Sequence, residues 1–283
     1  MSAHAAGGGV RDVQGPSAFG GGLRRLFYLT WIVGLTEYRL TYFGSALGYL
    51  WSLIRPLMLF GVLYVVFTQI VDFGGDIVNY PVMLLLNIVL FGFFQDSTTK
   101  AVTSLVDREM MVRKMHFPGM VIPLARVLTG LLNLAVSLVA VLVFVVGYGV
   151  APRWTWLLLP VSLLALTALT LAVAMLLSAL YVRFRDVAPV WSVLTTVLFY
   201  GSPVLYAIDA VPPDYRRVLL LVNPLADILE QTRRWIVDPN APGAVEAVGG
   251  PGWALIPLGL GVGICALAVY VFNREAPRIA ERL

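Results

Sequence analysis

No charged residue stands between Arg126 and Arg153, and none between Arg153 and Arg183. Each tract exceeds the roughly 20 apolar residues that an α-helix needs to cross a hydrocarbon core. Of the 283 residues, 59% are hydrophobic and 13% charged, with a mean hydropathy of +0.84. A soluble domain carries about 25% charged residues. Halving that fraction leaves too little polar surface to face water, so the excess apolar surface faces lipid. Backbone polar groups in lipid must be satisfied within their own segment, which makes helices the spanning element.

Residues 1–22 are rich in Gly, Ala and Ser and lack the apolar core of a secretory signal; they read as a disordered cytoplasmic tail. Residues 23–283 read as one transmembrane domain. Over 23–41, Leu23, Leu26, Phe27, Thr30, Trp31, Gly34 and Tyr38 fall on one helical stripe, with Arg24 and Arg25 off it. Glu37 and Arg39 end the uncharged stretch too early for a span, so this helix is expected to lie in the headgroup region. Spans are expected over about 49–71, 80–101, 120–148, 154–181, 187–207 and 253–272. Pro56 falls in the first turns of its span, where few hydrogen bonds are lost. The polar run from Gln95 to Lys100 predicts a helix end that leaves the bilayer or faces protein. In the extracytoplasmic segment 208–252, Asn223-Pro224 reads as an N-cap followed by proline at the first helical position. Helices are expected over 214–222 and 224–237, both too short to cross. The expected fold is thus all-α and membrane-embedded. It has six transmembrane helices, an N-terminal interfacial amphipathic helix, and two short re-entrant or interfacial helices before the last span.

Charge sets the orientation. With six spans, both chain ends lie on one side, which collects fifteen of the twenty Lys and Arg residues. The other side holds Arg153, Arg216, Arg217, Arg233 and Arg234. The positive-inside rule places both termini in the cytoplasm of a protein of the plasma (inner) membrane. The basic residues form loops rather than a continuous stripe, which argues against nucleic acid as a partner.

Catalytic machinery is absent from the pattern. Cys265 is the single cysteine and sits in an apolar run, and His4 and His116 are far apart in sequence. No cluster has metal-ligand spacing, and no Cys/His pair offers a nucleophile and base. The two lysines precede Ala101 and Met115, so the Gly-Lys-Ser/Thr of a nucleotide-binding loop is missing. ATP and Mg, if they drive the protein, are bound by another chain, and no cofactor is expected in this one. Asp96, Arg126 and Arg55 lie close to expected cytoplasmic boundaries, where snorkelling explains them better than a proton relay.

Several segments together resemble one family. Leu35-Thr36-Glu37-Tyr38-Arg39, Tyr42, Ser45, Leu47-Gly48, Trp51 and Pro56 resemble the N-terminal signature of type-2 ABC transporter permeases that export polysaccharides. Lys114-Met115-His116-Phe117-Pro118 with Pro123 is similar to that family's first cytoplasmic connection. Arg185-Asp186-Val187, Ser202-Pro203-Val204-Leu205-Tyr206 and Asn223-Pro224 are similar to its C-terminal half. Two departures stand out: Glu37 lies two positions from Arg39 rather than beside it, and the N-terminal tail is long. The resemblance implies a half-channel that pairs with a second copy of itself and with two copies of a P-loop ATPase. The implied cargo is a lipid-linked polysaccharide such as an O antigen, a teichoic acid or a galactan. It also implies a coupling helix over 105–117, carrying Asp107, Arg108, Glu109, Arg113, Lys114, His116 and Phe117 toward the ATPase. Ordinary positive-inside charge in a solvated loop is the competing reading.

Two stripes are candidates for a channel lining. Phe60, Tyr64 and Phe67 share a face of the first span, and Trp191, Thr195, Phe199, Ser202 and Tyr206 share a face of the fifth. Sugar rings stack on aromatic faces, and hydroxyls offer exchangeable hydrogen bonds, although the same aromatics serve equally for packing between helices. Arg24, Arg25, Arg39 and Arg55 cluster before and at the first span, where guanidinium forks suit either a lipid-linked diphosphate or the headgroups of membrane lipid. Two other functions stay open: an exporter of drugs or small lipids with the same architecture, and a membrane enzyme of envelope-lipid synthesis using Asp209, Asp214, Asp227 and Glu230.

Overall fold

In the computed structural model, residues 22–43, 48–71, 77–110 and 118–282 are described, without the side chains of residues 49, 214 and 276–282. Nearly all of the segment expected as a tail, 1–22, lies outside the described residues. So does most of the expected coupling helix, with Arg113, Lys114, His116 and Phe117.

Helix α1 spans Leu23–Tyr42, α2 Trp51–Val65, α3 Tyr80–Val102, α4 Val121–Gly147 and α5 Leu159–Arg183. Helix α6 spans Val187–Gly201, α7 Pro213–Val222, α8 Pro224–Ile236 and α9 Pro251–Arg282. The helix starts follow local chemistry. Asn79, in the left-handed conformation at φ 53°, precedes α3 and its early Pro81. Asn223 caps α8, its Oδ1 accepting from the backbone N–H groups of Leu225 at 3.1 Å and Ala226 at 3.3 Å, with Pro224 next. Pro56 is accommodated inside α2. The last turn of α2 widens over Val66–Ile70, where the N–H of Val71 reaches the carbonyl of Val66 at 2.9 Å.

Among the described residues, five helical segments are long and apolar enough to cross a membrane: Trp51–Ile70, Tyr80–Val102, Val121–Gly147, Trp154–Arg183 and Pro251–Glu275. The fifth expected span, 187–207, departs from expectation. Its helix is 15 residues long and stops at Gly201. Ser202 precedes Pro203 and is extended (φ −112°, ψ 156°), the conformation that the proline ring imposes on its predecessor.

The bundle is built around α3. Of its apolar window 78% is buried, against none for α2. Helices α4, α5, α2, α6 and α8 surround α3, while α1 lies along α4 and α9 along α5. Lipid supplies little hydrophobic force between helices, so close packing and polar contacts must hold them. Small residues allow it. A Cβ at Gly130 of α4 would collide with Ser97 of α3, and one at Gly34 of α1 would sit 3.2 Å from the carbonyl oxygen of Ala125. At that crossing the Thr129 hydroxyl donates to the Gly34 carbonyl at 3.1 Å. The buried line of α1 is Leu26, Thr30, Gly34 and Glu37. It is rotated from the expected stripe, leaving Leu23, Phe27 and Trp31 exposed, because the helix packs on α4.

Candidate functional site

At the end of the bundle where α3 finishes and α4 starts, three helical segments meet on one carboxylate. Glu37 of α1 is 5% exposed and ion-paired to Arg108, just past the one-turn helix Ser104–Asp107, and to Arg126 of α4 at 3.3 Å. Burial pushes the Glu37 carboxyl above its ordinary value, while Arg126 and Arg108 pull it back. The set ties the helix before the first span to the segment after the second and to the start of the third. Tyr42 donates to Asn133 Oδ1 at 2.6 Å, about two turns further along α4 than Arg126. From the sequence Arg126 reads as a snorkelling residue and Glu37 as a displaced motif residue. The available signal was an acid on the same helical line as Leu26, Thr30 and Gly34.

The four arginines proposed for phosphate do not gather in one place. Arg24, Arg25 and Arg39 are exposed on α1. Arg55 is ion-paired across to Asp96 of α3 at 3.1 Å; the side chains are 74% and 39% exposed, so water and salt reach the pair. Of the expected coupling residues, Asp107 is exposed and accepts from the Thr103 hydroxyl at 2.8 Å, Arg108 is in the Glu37 set, and Glu109 is partnered.

The two candidate stripes fare differently. On α6, Trp191 and Thr195 are buried against the chain's own α3, with the Trp191 indole N–H donating to Thr98 Oγ1 at 3.1 Å. Phe199 meets Phe91 edge to face at 5.2 Å. Ser202 and Tyr206 do not continue this face, since the helix ends at Gly201, and Ser202 is fully buried. Trp191, Thr195 and Ser202 are thus packed inside the subunit in this structure rather than presented on an open face. On α2, Phe60 stacks on Tyr64 at 5.7 Å and meets Phe144 of α4 edge-on at 5.6 Å, so both are half-buried. The outward face of α2 is instead aliphatic, with Met58, Val62 and Val65 exposed.

At the opposite end of the bundle, the turn after α6 is pinned from three directions. Asn87 of α3, 1% exposed, donates to the Pro203 carbonyl at 2.8 Å. The Tyr80 hydroxyl donates to the Leu205 carbonyl at 2.9 Å, and Asn223 Nδ2 donates to Ser202 Oγ at 2.8 Å. Asn87 and Tyr80 are missed by sequence reasoning, since a lone Asn in an apolar run is its only signal. Beneath this turn, Arg233 of α8 lies buried between Glu230 at 2.8 Å and Asp209 at 3.2 Å. Burial pushes Glu230 up to about 7 against the pull of Arg233, and Asp227 up to about 7. The pinned turn presents Tyr206 to a cleft of about 370 Å³, lined by Phe67 at the widened end of α2, Tyr200, Leu205, Tyr206, Ala210, Val211 and Pro212. Two of the sequence-predicted lining residues, one from each stripe, thus meet in one aromatic cleft. Its chemistry is ring stacking with two phenolic hydroxyls and no charge.

Among the described residues, no group of three or more His, Cys, Asp or Glu side chains is placed to hold a metal ion. Long apolar helices, a buried central helix and polar locks at both ends define a multi-pass, all-helical membrane protein. Residues 28–234 match the ABC-2 type transporter family, and the chain belongs to it. It is a transport subunit that works with a separate ATP-binding subunit. The chain is 31% identical over 209 residues to the O-antigen export system permease protein RfbA of Myxococcus xanthus, covering 74% of this chain and 80% of that one. It is 29% identical over 205 residues to a permease of the same name from Klebsiella pneumoniae (72% and 78% covered). A second such permease from that organism is 28% identical over 214 residues (75% and 82% covered).

Proposed function

We propose that this chain is the permease of an ATP-driven exporter that moves a lipid-linked polysaccharide outward across the plasma membrane. The observation that carries this reading is likeness over about three quarters of the chain to permeases named for O-antigen export. The working assembly contains a second copy of the chain and two copies of a P-loop ATPase, which bind ATP and Mg. Both termini face the cytoplasm, so the Glu37 set lies beside the ATPase and the aromatic cleft faces outward.

In this mechanism, closure of the ATPases pushes the segment after α3. Arg108 transmits the push to Glu37, and Glu37 passes it to α1 and, through Arg126, to α4. Moving α1 shifts α2, because the two are adjacent in the chain. The aliphatic outward face of α2 and the exposed face of α6 form the wall that parts for the lipid. Phe67 and Tyr206 then receive successive sugar rings at the mouth. Weak, uncharged stacking suits a polymer that must slide, whereas a charged site would hold it.

The test is transport by the complete permease–ATPase complex in proteoliposomes, supplied with a lipid-linked O-antigen polysaccharide. Export is expected with ATP, and Phe67→Ala with Tyr206→Ala is expected to slow it about tenfold while the ATPase still turns over. Failure of any lipid-linked glycan to stimulate ATP hydrolysis or appear outside would overturn the reading.

A further inference from the structure

A second cleft lies where the end of α5 runs beside the later turns of α9. It has a volume of about 230 Å³ and is lined by Ala179, Leu180, Arg183 and Phe184 of one strand of the wall and by Tyr270, Val271, Arg274 and Glu275 of the other. The cleft stands apart from the α2 face assigned to cargo, because α9 packs on α5, α7 and α8 while α2 packs on α3 and α4. Two arginines, one from each helix, line it. Arg183 lies 5.0 Å from the ring of Phe184, and Arg274 donates to the Tyr270 hydroxyl at 3.4 Å. Among the described residues, neither arginine forms an ion pair. The carboxylate in the lining, Glu275, has a partner of its own. Arg185 stacks over Tyr181 at 4.9 Å one turn away and adds to the positive field.

Leu180 and Val271 carry the wall of the cleft toward the apolar middle of the bundle, and Phe184 and Tyr270 stand exposed at its rim. The site therefore combines an anion-binding head, an aromatic belt at headgroup level and an apolar floor. A soluble anion would use only the first of these.

We infer that the Arg183–Arg274 cleft is a binding site for the phosphate headgroup of an anionic glycerophospholipid, held in the leaflet at the basic end of the bundle. Each guanidinium supplies forked donors to phosphate oxygens, and the acyl chains lie along Leu180 and Val271. The bound lipid acts as a clamp between the end of α5 and the adjoining turns of α9, two helices that the chain reaches through separate turns.

The experiment uses the permease–ATPase complex in phosphatidylcholine nanodiscs containing a photo-crosslinkable phosphatidylglycerol, with adducts mapped by mass spectrometry. Adducts are expected within 179–184 and 270–275, about 30-fold favoured over a phosphatidylcholine probe at low salt. That preference should vanish in Arg183→Gln/Arg274→Gln and survive in part in Arg183→Lys/Arg274→Lys, which keeps the charge and loses the fork. Millimolar inorganic phosphate should not displace the probe. Equal labelling by the two lipids, equal labelling of the Gln variant, or displacement by free phosphate would each overturn the assignment. Displacement of the probe by a polyprenyl diphosphate at concentrations at which unlabelled phosphatidylglycerol does not displace it would reassign the cleft to the cargo lipid.

Discussion

Replacing Glu37 by Gln keeps its shape and removes the charge that holds Arg108 and Arg126 together. Deleting one member of a fully buried ion set costs about 3–5 kcal/mol, because the remaining charge is stranded. Here the two guanidiniums are 22% and 25% exposed and can turn to water. Solvent screening therefore reduces the expected loss to about 1–2 kcal/mol. In a chain of this size that corresponds to a fall in melting temperature of about 3–6 °C. The diagnostic measurement is a double-mutant cycle in the detergent-solubilised complex. Once Glu37→Gln is present, Arg126→Gln should cost little more, since its partner has already gone. ATP hydrolysis per molecule exported should rise, because the segment after α3 no longer pulls on α1. Additive losses within about 0.5 kcal/mol, together with an unchanged hydrolysis-to-export ratio, would refute both the shared carboxylate and its role as a lever.

Other expectations concern the far end of the bundle. Asn87→Ala leaves the Pro203 carbonyl buried without its donor and should destabilise the protein by about 1–3 kcal/mol; limited proteolysis should show faster cleavage at 202–207, and parent-like protection would count against the pinned turn. Asp227 titrates at about 7 instead of 3.8, so the folded chain binds this proton more tightly than the unfolded one. Stability from this group accordingly falls as pH rises from about 4 to about 7 and then levels off. Asp227→Asn should match the parent near pH 4 and be more stable by about 1–2 kcal/mol at pH 8, after allowance for partial exposure. Melting curves at the two pH values decide it, and an equal offset at both would contradict the burial argument.

The long helices were legible because uncharged tracts between charged residues set their limits directly. The helix start at Pro224 was legible too, since a capping Asn and a proline at the first position act locally. Facing was not. Within a membrane protein, residues that meet lipid, a neighbouring helix or a channel share one apolar alphabet, so periodicity reports a stripe without saying what lies opposite. Trp191 shows this: it shares a helical face with Thr195 and Phe199, but the indole N–H finds an acceptor in Thr98 of the same subunit. The stop at Gly201 had a local signal in Ser202-Pro203, which hydropathy overran by carrying the span to 207. The Glu37 set joins residues distant in sequence through folding alone. Only an acid on a line of small residues hinted at it.

The brevity of α6 has a consequence for the surrounding lipid. Fifteen residues rising about 1.5 Å each give roughly 22 Å of apolar length against a hydrocarbon core of about 30 Å. A bilayer in contact with that helix is expected to pinch inward to avoid exposing its chains to water. Any amphiphile dragged along this flank then carries its polar head over a shorter greasy distance than it meets elsewhere around the protein. On this expectation the cheapest crossing point follows from the length of one helix.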